Sequence, residues 1–197
     1  MTSPRLAWTW KRFEALSLDE LYDALALRCR VFILEQGPYQ DPDGLDRVSW
    51  HLLGHDGTGV LQAYLRVVDP GRKYAEPSMG RVITSPEVRG TGAGRLLVAE
   101  GVRRIGEAWP GQANRISAQL HLSQFYQAFG YQEVGEPYGE DRIPHVQMIR
   151  SAAGGFPPPL MSPGPGAART SSLTSLRGEP AHRAVPASSQ AEPEADH

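Results

Sequence analysis

The sequence predicts an α+β fold for residues 1–150 and a disordered tail, rich in Pro, Ala, Ser and Gly, for residues 151–197. Two observations predict the fold class. Seven short segments have the β-branched or alternating character of strands, and three segments repeat apolar residues at helical spacing. A third observation sets the boundary: after about Arg150 no periodic apolar face survives, so the segment cannot bury enough surface to offset its chain entropy.

A strand and a helix open the chain. Residues Leu6–Phe13 alternate apolar and polar side chains, as a strand does. Ser17 with Glu20 three residues later forms a capping box, which predicts a helix that runs to about Leu34. The predicted apolar face of this helix comprises Leu18, Leu21, Tyr22, Leu25, Cys29 and Phe32. On that face, a small buried hydrophobe is the favoured role for Cys29, over a reactive thiol.

A loop and a hairpin follow. Residues Glu35–Asp46 are rich in turn formers and carboxylates, but they lack the closing Glu of an EF-hand loop, so we expect no metal there. The segment is either a substrate-contacting loop or a solvated connector. Beyond it, Val48–Leu53 and Val60–Val68 are predicted strands, and Asp56-Gly57 between them is a strong hairpin signal.

The most informative stretch is Gly80–Ala108, a predicted strand, Gly-rich turn and helix. Residues Arg81–Thr84 have strand character, and Pro86 stops the strand. In the turn, Arg89–Gly94, three glycines let the backbone approach a ligand closely. The following helix begins with unpaired N–H groups and the positive end of its dipole. This unit predicts a phosphate or pyrophosphate site; the alternative is a Gly-rich turn without a ligand.

Two common nucleotide motifs do not fit this turn. A P-loop requires Lys and then Ser or Thr after its last glycine, where the chain has Arg95 and Leu96. A dinucleotide fingerprint that starts at Gly90 requires a glycine at Arg95. The residues fit instead the pattern Arg/Gln-x-x-Gly-x-Gly/Ala, with Arg89, Gly92 and Gly94 at the defined positions.

The remaining elements complete the domain. Residues Arg115–Leu120 are predicted as the fifth strand, and Leu122–Phe129 as a short helix closed by Gly130. The last two predicted strands are Tyr131–Val134 and His145–Ile149.

Composition excludes several classes of protein. The formal net charge is −2 over 197 residues, which gives no electrostatic case for a nucleic acid or an anionic membrane surface as partner. The single cysteine excludes an internal disulfide and a Cys-based zinc site. No stretch has the features of a signal peptide or the apolar length of a transmembrane helix. We therefore expect a soluble, cytoplasmic protein that uses no metal.

Motifs outside the turn make the pattern specific. They are Arg28-x-x-Val31-Phe32 with Glu35-Gln36 and Pro38-Tyr39, Asp43-Gly44-x-Asp46 with His51, Ala118-Gln119-x-His121-Leu122 with Phe125-Tyr126 and Phe129-Gly130-Tyr131, and Gly135-x-x-Tyr138-x-Glu140-Asp141 with Ile143-Pro144-His145. Together with the Gly-rich turn, they resemble the GNAT N-acetyltransferases of the ElaA type over roughly Trp8–Arg150.

This resemblance implies an α/β three-layer arrangement, in which a mixed central sheet carries helices on both faces. It also implies transfer of an acetyl group from acetyl-CoA, the cosubstrate, directly to an amine. Backbone groups of the predicted strand would bind the pantetheine arm, with one N–H polarising the thioester carbonyl, and those of the turn would bind the pyrophosphate. The implied cofactor-binding residues are Val82, Ile83, Thr84, Arg89, Gly90, Thr91, Gly92, Ala93, Gly94 and Gln119.

The resemblance also implies catalytic residues. Tyr126 occupies the position of a tyrosine that protonates the departing thiolate, and a phenol of pKa about 10 can donate to a thiolate of pKa about 8.5. Its alternative role is core packing beside Phe125 and Phe129. The attacking amine must lose a proton, and the candidate bases are Glu35, His51, His121, Glu140, Asp141 and His145. Glu35 and His145 stand out because they lie in the family-like motifs.

Two functions remain open at this point. The first is an N-acetyltransferase acting on a small-molecule or peptide amine, and the second is a module that binds and senses acetyl-CoA without acceptor turnover. Carboxylates around the expected site would suit a cationic amine: Glu35, Asp43, Asp46, Glu140 and Asp141. A homodimer is the one assembly that we consider.

Overall fold

The computed structural model describes residues 5–37, 40–140 and 143–152, and in this part of the chain seven strands form one sheet. The strands are β1 (Ala7–Arg12), β2 (Ser49–His55), β3 (Leu61–Val68), β4 (Ser78–Thr84), β5 (Asn114–Gln119), β6 (Gln132–Glu140) and β7 (Ile143–Arg150). The helices are α1 (Leu18–Arg28), α2 (Ala93–Ala108) and α3 (Ser123–Gln127). The predicted α+β class is confirmed.

The sheet is mixed, in the order β1-β2-β3-β4-β5-β7-β6. Neighbouring strands are antiparallel except β4 and β5, which are parallel. Within the described residues, β4 and β5 pair at a single position, where Ser78 lies opposite Arg115 near the start of both strands. The two strands then diverge, and this divergence opens a cleft in the middle of the sheet.

Helices cover both faces of the sheet. One face packs against α1, with Leu53 and Tyr64 in the same buried cluster as Leu27 of the helix. The opposite face packs against α2 and α3, with Leu52 and Leu65 of the adjacent strands in a larger cluster. Successive strand residues point to opposite faces, so β3, which is buried along its whole length, contributes to both clusters. The predicted three-layer arrangement is therefore confirmed.

Helix α2 approaches the sheet closely because Gly101 has no side chain. A Cβ atom at this position would lie 2.7 Å from Leu65 Cδ2 and 3.1 Å from Met79 Sδ. Contacts of that length are repulsive, so a larger residue would push the helix outward. The close approach fixes α2 over β3 and β4, and with it the Gly-rich turn that precedes the helix.

The predicted capping box is present, but the predicted apolar face of α1 is wrong in half of its members, because Leu21, Leu25 and Phe32 are half-buried and Leu18, Tyr22 and Cys29 are exposed. The Ser17 hydroxyl accepts from the Glu20 N–H at 3.1 Å, and the Glu20 carboxylate accepts from the Ser17 N–H at 2.8 Å. However, Leu18 is 86% exposed and Cys29 is also exposed. The role of Cys29 as a buried hydrophobe is corrected accordingly. The helix continues from Cys29 to Glu35 as a π-helical segment.

The face of α1 that is buried contains an arginine. It comprises Ala24, Leu27, Arg28 and, in the π-helical segment, Val31. These residues have the i, i+3, i+4, i+7 spacing of one helical face. An arginine within this stripe interrupts its apolar character, so apolar periodicity favours the adjacent stripe instead.

Some of the predictions concern residues outside the described part of the chain. Pro38, Tyr39 and Asp141 are among them, as is the tail from residue 153 onward, so the domain boundary stays a prediction. In the described residues, no helix combines the length and the hydropathy that crossing a membrane requires.

Candidate active site

The cleft between β4 and β5 contains a cavity of about 420 Å³, which we call the cleft cavity. Its walls come from the π-helical segment and its end, from β3, β4 and β5, from α3, and from the hairpin of β6 and β7. Among the lining residues are Val82, Ser117, Gln119, Tyr126, Glu140 and His145. The divergence of two parallel strands thus gathers residues that lie far apart in the sequence around one space.

Strand β4 carries a β-bulge at the cavity wall. In the pairing with β3, Tyr64 lies opposite Ile83 and Arg66 lies opposite Gly80, so β4 has one residue more than its partner. The additional residue distorts the backbone, and Arg81 has a φ of 52°. Because β5 has diverged, the edge of β4 that faces the cavity presents backbone N–H and C=O groups to it.

The Gly-rich turn lies between β4 and α2. Gly90 and Gly92 have φ angles of 76° and 91°, which non-glycine residues rarely adopt. Gly92 is the N-cap of α2, so Ala93 and Gly94 are the first helical residues and their N–H groups have no partner within the helix. A Cβ atom on Gly94 would meet no other atom within 4 Å. Free donors and open space at the helix N-terminus fit the pyrophosphate of a CoA molecule.

Two side-chain contacts connect the turn and β5 to the end of the first helix. The Arg89 guanidinium pairs with Glu35, with Nη1 2.9 Å from Oε2. Gln119 donates to the Gln36 side-chain oxygen at 3.3 Å. Glu35 is therefore occupied by an ion pair and is not among the described residues that line the cleft cavity. Gln119 does line it, opposite His145 in the pairing of β5 with β7.

Tyr126 lies on α3 at the cavity wall. Its ring is almost wholly buried and makes edge-to-face contacts with Phe125, at 5.1 Å between centroids, and with Tyr131, at 6.0 Å. The hydroxyl group forms no hydrogen bond to any residue in the described part of the chain. Burial raises the pKa of Tyr126 above its ordinary value of 10, so the hydroxyl keeps its proton at neutral pH. The packing role and the proton-donor role are compatible in this geometry.

His145 lies on β7 and faces the cavity. Its Nδ1 atom is 2.9 Å from the carbonyl oxygen of Ile143. Because a carbonyl oxygen only accepts, Nδ1 carries the proton of the neutral ring and Nε2 keeps a lone pair. The His145 ring also lies beside that of Tyr138, with 6.3 Å between centroids. This arrangement suits proton uptake at Nε2.

Glu140 contributes a negative charge to the same wall. Its carboxylate accepts hydrogen bonds from Ser117 at 2.7 Å and from Tyr138 at 3.4 Å. Burial alone would raise the pKa of Glu140, but the hydrogen bond from Ser117 and the positive charge of Lys73 outweigh it, so the pKa is lowered. The carboxylate is ionised at neutral pH.

Beside the cavity, three arginines and three aspartates form an ion-pair network whose members are Arg28, Arg66, Arg81, Asp41, Asp43 and Asp46. Arg28, Arg66, Asp41 and Asp46 are buried, and Arg81 and Asp43 are partly exposed. Arg28 Nη1 lies 2.7 Å from Asp46 Oδ1, and Arg81 Nη2 lies 3.3 Å from Asp43 Oδ2. Arg66 pairs with both Asp43 and Asp46. These pairs fix the described part of the loop after the first helix against β3 and β4. The loop is thus neither a solvated connector nor a set of free carboxylates.

The network corrects the expectation of an acidic mouth. Asp43 and Asp46 are neutralised by arginines, and Glu35 is paired with Arg89. Of the described carboxylates in that set, Glu140 is the one that lines the cleft cavity. Charge complementarity to a cationic amine therefore depends on Glu140.

The other candidate bases lie elsewhere. His51 is buried on β2, where Nδ1 lies 2.8 Å from the Tyr64 hydroxyl and Nε2 lies 3.0 Å from the Asp46 carbonyl oxygen. Both ring nitrogens are thus used in structural hydrogen bonds. His121 is exposed and is not among the residues that line the cleft cavity. Among the described residues, no three His, Cys, Asp or Glu side chains cluster as a metal site would require.

Ser117 and Lys73 are among the polar residues of the cavity that sequence reasoning missed. For Ser117 a signal existed, because Arg115, Ser117 and Gln119 alternate with buried residues along β5 and so point to one face. Lys73 lies in the connector between β3 and β4, where no periodic pattern of apolar residues predicts which way a side chain faces.

A mixed sheet that splits between two parallel strands, with a Gly-rich turn and a helix N-terminus beside the split, defines an acyl-CoA N-acyltransferase fold. Comparison with known proteins supports this class. Residues 58–152 match the acetyltransferase (GNAT) domain. The chain is 41% identical to an acyl-CoA N-acyltransferase from Pseudomonas aeruginosa, whose crystal structure superposes with a TM-score of 0.71 over 75% of this chain and 100% of that one.

Other relatives define the group within this class. The protein ElaA of Escherichia coli is 38% identical over 148 residues, which cover 74% of this chain and 96% of ElaA. The ElaA crystal structure superposes with a TM-score of 0.70 over 75% of this chain and 100% of that one. A UPF0039 protein of Synechocystis is 46% identical over 72% of this chain and 93% of its own length. The chain belongs to the GNAT acetyltransferases of the ElaA type.

Proposed function

We propose that the protein transfers the acetyl group of acetyl-CoA to a primary amine by direct attack within a ternary complex. One observation carries this proposal: the cleft cavity is lined together by the bulged strand β4, by Tyr126 and by His145. These are the three kinds of group that acyl transfer to an amine requires, namely carbonyl-polarising donors, a proton donor for the thiolate and a proton acceptor for the amine.

The cosubstrate would bind across the cleft. The backbone of Val82, Ile83 and Thr84 on the free edge of β4 would bind the pantetheine arm, with Gln119 on the opposite wall. The pyrophosphate would bind at the N-terminus of α2, where the N–H groups of residues 92–94 and the helix dipole favour an anion. The Arg89–Glu35 pair would hold the turn in place beside it.

The chemistry follows from the placement of the proton-transfer groups. A primary amine with a pKa of about 10.4 is protonated at neutral pH and must lose a proton before it attacks. Nε2 of His145 would accept that proton, directly or through a water, while Glu140 holds the ammonium form of the acceptor nearby. As the amine nitrogen bonds to the carbonyl carbon, the C–S bond breaks and Tyr126 would protonate the sulfur. The nitrogen loses a second proton as the amide forms, and this proton would restore the Tyr126 hydroxyl, directly or through water.

The test is a calorimetric titration with acetyl-CoA, followed by measurement of thiol release with a panel of amines that includes a polyamine, lysine and a peptide amine. We expect saturable binding and steady thiol release with at least one amine. Binding without turnover across the whole panel would indicate an acetyl-CoA sensor instead. Absence of binding would contradict the proposal.

A further inference from the structure

The chain contains two lysines, Lys11 and Lys73, and their surroundings differ. The ammonium group of Lys11 donates to both carboxylate oxygens of Glu20, at 2.8 and 2.9 Å. Its amine is engaged in this ion pair, and Lys11 lies on β1 and is not among the residues that line the cleft cavity. Lys73 has no such ion pair among the described residues, and Lys11 therefore serves as its internal comparison.

Lys73 lies on the wall of the cleft cavity together with Val82 and Tyr126. Among the described residues, it forms no hydrogen bond and no ion pair, and its Nζ atom lies 5.3 Å from the ring centroid of the adjacent Tyr74. Lys73 is also accessible to solvent, so its long side chain can change rotamer at the cost of no more than this contact with Tyr74. A primary amine without a hydrogen bond or an ion pair in the described residues therefore belongs to the wall of the cavity that we assign to acetyl transfer.

The surrounding charges favour the neutral amine on balance. Partial burial lowers the pKa of Lys73 below its ordinary value of 10.5, the carboxylate of Glu140 opposes this, and the guanidinium groups of Arg81 and Arg66 lower the pKa further. Asp43 opposes the shift more weakly. A lysine with a lowered pKa presents more of the nucleophilic form at neutral pH than an ordinary lysine does.

We propose that Lys73 is itself an acetyl acceptor, modified in cis by acetyl-CoA bound in the same chain. This inference rests on the proposed function, because the cleft must hold the thioester. The Nζ lone pair forms an amide bond to the acetyl carbon and the thioester C–S bond breaks. The sulfur leaves with the electron pair of the C–S bond as a thiolate. The proton lost from Nζ is taken up by this thiolate, and the products are acetyl-Lys73 and the free thiol of CoA.

The experiment is incubation of the full chain with ¹³C-labelled acetyl-CoA, followed by intact-mass measurement and peptide mapping at both lysines. We expect one labelled acetyl group per chain on Lys73, formed at a rate independent of protein concentration. The variant Lys73→Arg should lose the label. The matched variant Lys11→Arg should keep it, and in urea-unfolded protein the preference for Lys73 over Lys11 should disappear.

Several results would overturn the inference: an unlabelled Lys73, equal labelling of Lys11 and Lys73 in the folded protein, or a rate that rises with protein concentration, which indicates transfer between chains. Acetyl-CoA binding and thiol release with free amines, measured on the same sample, separate the two claims. An unlabelled Lys73 with amine turnover contradicts the inference alone. An unlabelled Lys73 without acetyl-CoA binding contradicts the proposed function as well.

Discussion

Arg28 and Asp46 lie 18 residues apart in the sequence and form an ion pair with 2.7 Å between Nη1 and Oδ1, although Arg28 is only 1% exposed. A guanidinium that is withdrawn from water costs free energy unless charged partners satisfy its donors. Here Asp41 provides a second carboxylate, at 2.8 Å from Nε. The pairing turns a polar residue on a helix face into part of the protein interior and fixes the loop that follows the helix.

Loss of the Arg28 side chain should destabilise the fold strongly. The variant Arg28→Met removes one of the positive charges that pair with the buried carboxylates of Asp41 and Asp46. Removal of one partner of a buried pair typically costs about 3–5 kcal/mol. We expect the free energy of unfolding in urea to fall by this amount. The control is Arg30→Met, two residues away, which breaks the exposed pair with Glu87 and should change stability little. Equal effects of the two variants would contradict the role of the network.

Stability should depend on His51 below neutral pH. Burial lowers the pKa of His51 from its ordinary value of 6.5, and the hydrogen bond to the Asp46 carbonyl opposes this only in part. Below pH 6.5 the unfolded chain therefore binds a proton at this residue that the folded chain does not, so stability falls as the pH falls. Urea unfolding between pH 7.5 and 5.5 should show a smaller decline for His51→Gln than for the wild type.

A matched variant makes that comparison specific. His55→Gln changes a histidine at the partly exposed end of the same strand and is the control for the loss of any histidine from β2. The aspartates and glutamates titrate near 4 in the unfolded chain, and their contribution to the slope is common to the wild type and to both variants. If His51→Gln and the wild type lose stability in parallel, the buried histidine is not the source of the pH dependence.

A large side chain at Gly94 should weaken binding of acetyl-CoA without harming the fold. A Cβ atom there meets nothing within 4 Å, so Gly94→Leu fits the free protein and projects into the space assigned to the pyrophosphate. We expect a calorimetric Kd at least about tenfold higher, or about 1.4 kcal/mol. Gly106→Leu is the control, because that residue is also in α2 and its Cβ also has open space. An unchanged Kd for Gly94→Leu would remove the turn from the binding site.

Tyr126→Phe should slow turnover and leave binding intact. The change keeps the ring that packs against Phe125 and Tyr131 and removes only the proton donor. General-acid catalysis contributes about a hundredfold to ten-thousandfold, and we expect the low end in kcat because a thiolate is a fair leaving group.

The neighbouring tyrosine provides the contrast. Tyr131→Phe removes a hydroxyl that donates to the Asn114 side chain outside the cleft cavity, so it should lower the free energy of unfolding by about 1 kcal/mol and leave kcat unchanged. Both kcat values are to be measured at saturating acetyl-CoA, at a pH where deprotonation of the amine is not limiting. Wild-type kcat in Tyr126→Phe would assign Tyr126 to packing alone.

The fold was predictable because local signals agree with the tertiary structure. The capping box at Ser17, the Asp56-Gly57 hairpin and the apolar spacing of the helix after Gly92 each determine a local structure that the packing keeps. The face of α1 was not predictable from periodicity. Its burial depends on ion pairs between Arg28 and two aspartates, Asp41 and Asp46, which lie 13 and 18 residues later in the sequence. Hydrophobic patterns carry no information on such pairs.

The sequence predicted several individual residues of the site, but it did not predict their positions relative to one another. Motifs pointed to the Gly-rich turn, to Tyr126 and to His145, and the latter two line the cleft cavity. Glu35 is in a motif as well, but its pairing with Arg89 depends on the relative position of two distant elements. Lys73 reaches the cavity because β4 and β5 diverge beside its connector, and divergence of strands has no signature in the sequence.

The most direct test of the central claim is a crystal structure of the protein with bound CoA. The account predicts the pantetheine arm between the free edge of β4 and Gln119, with the sulfur near the Tyr126 hydroxyl. It also predicts pyrophosphate oxygens within hydrogen-bond distance of the Ala93 and Gly94 N–H groups. CoA bound outside the cleft, or with its pyrophosphate away from the N-terminus of α2, would contradict it.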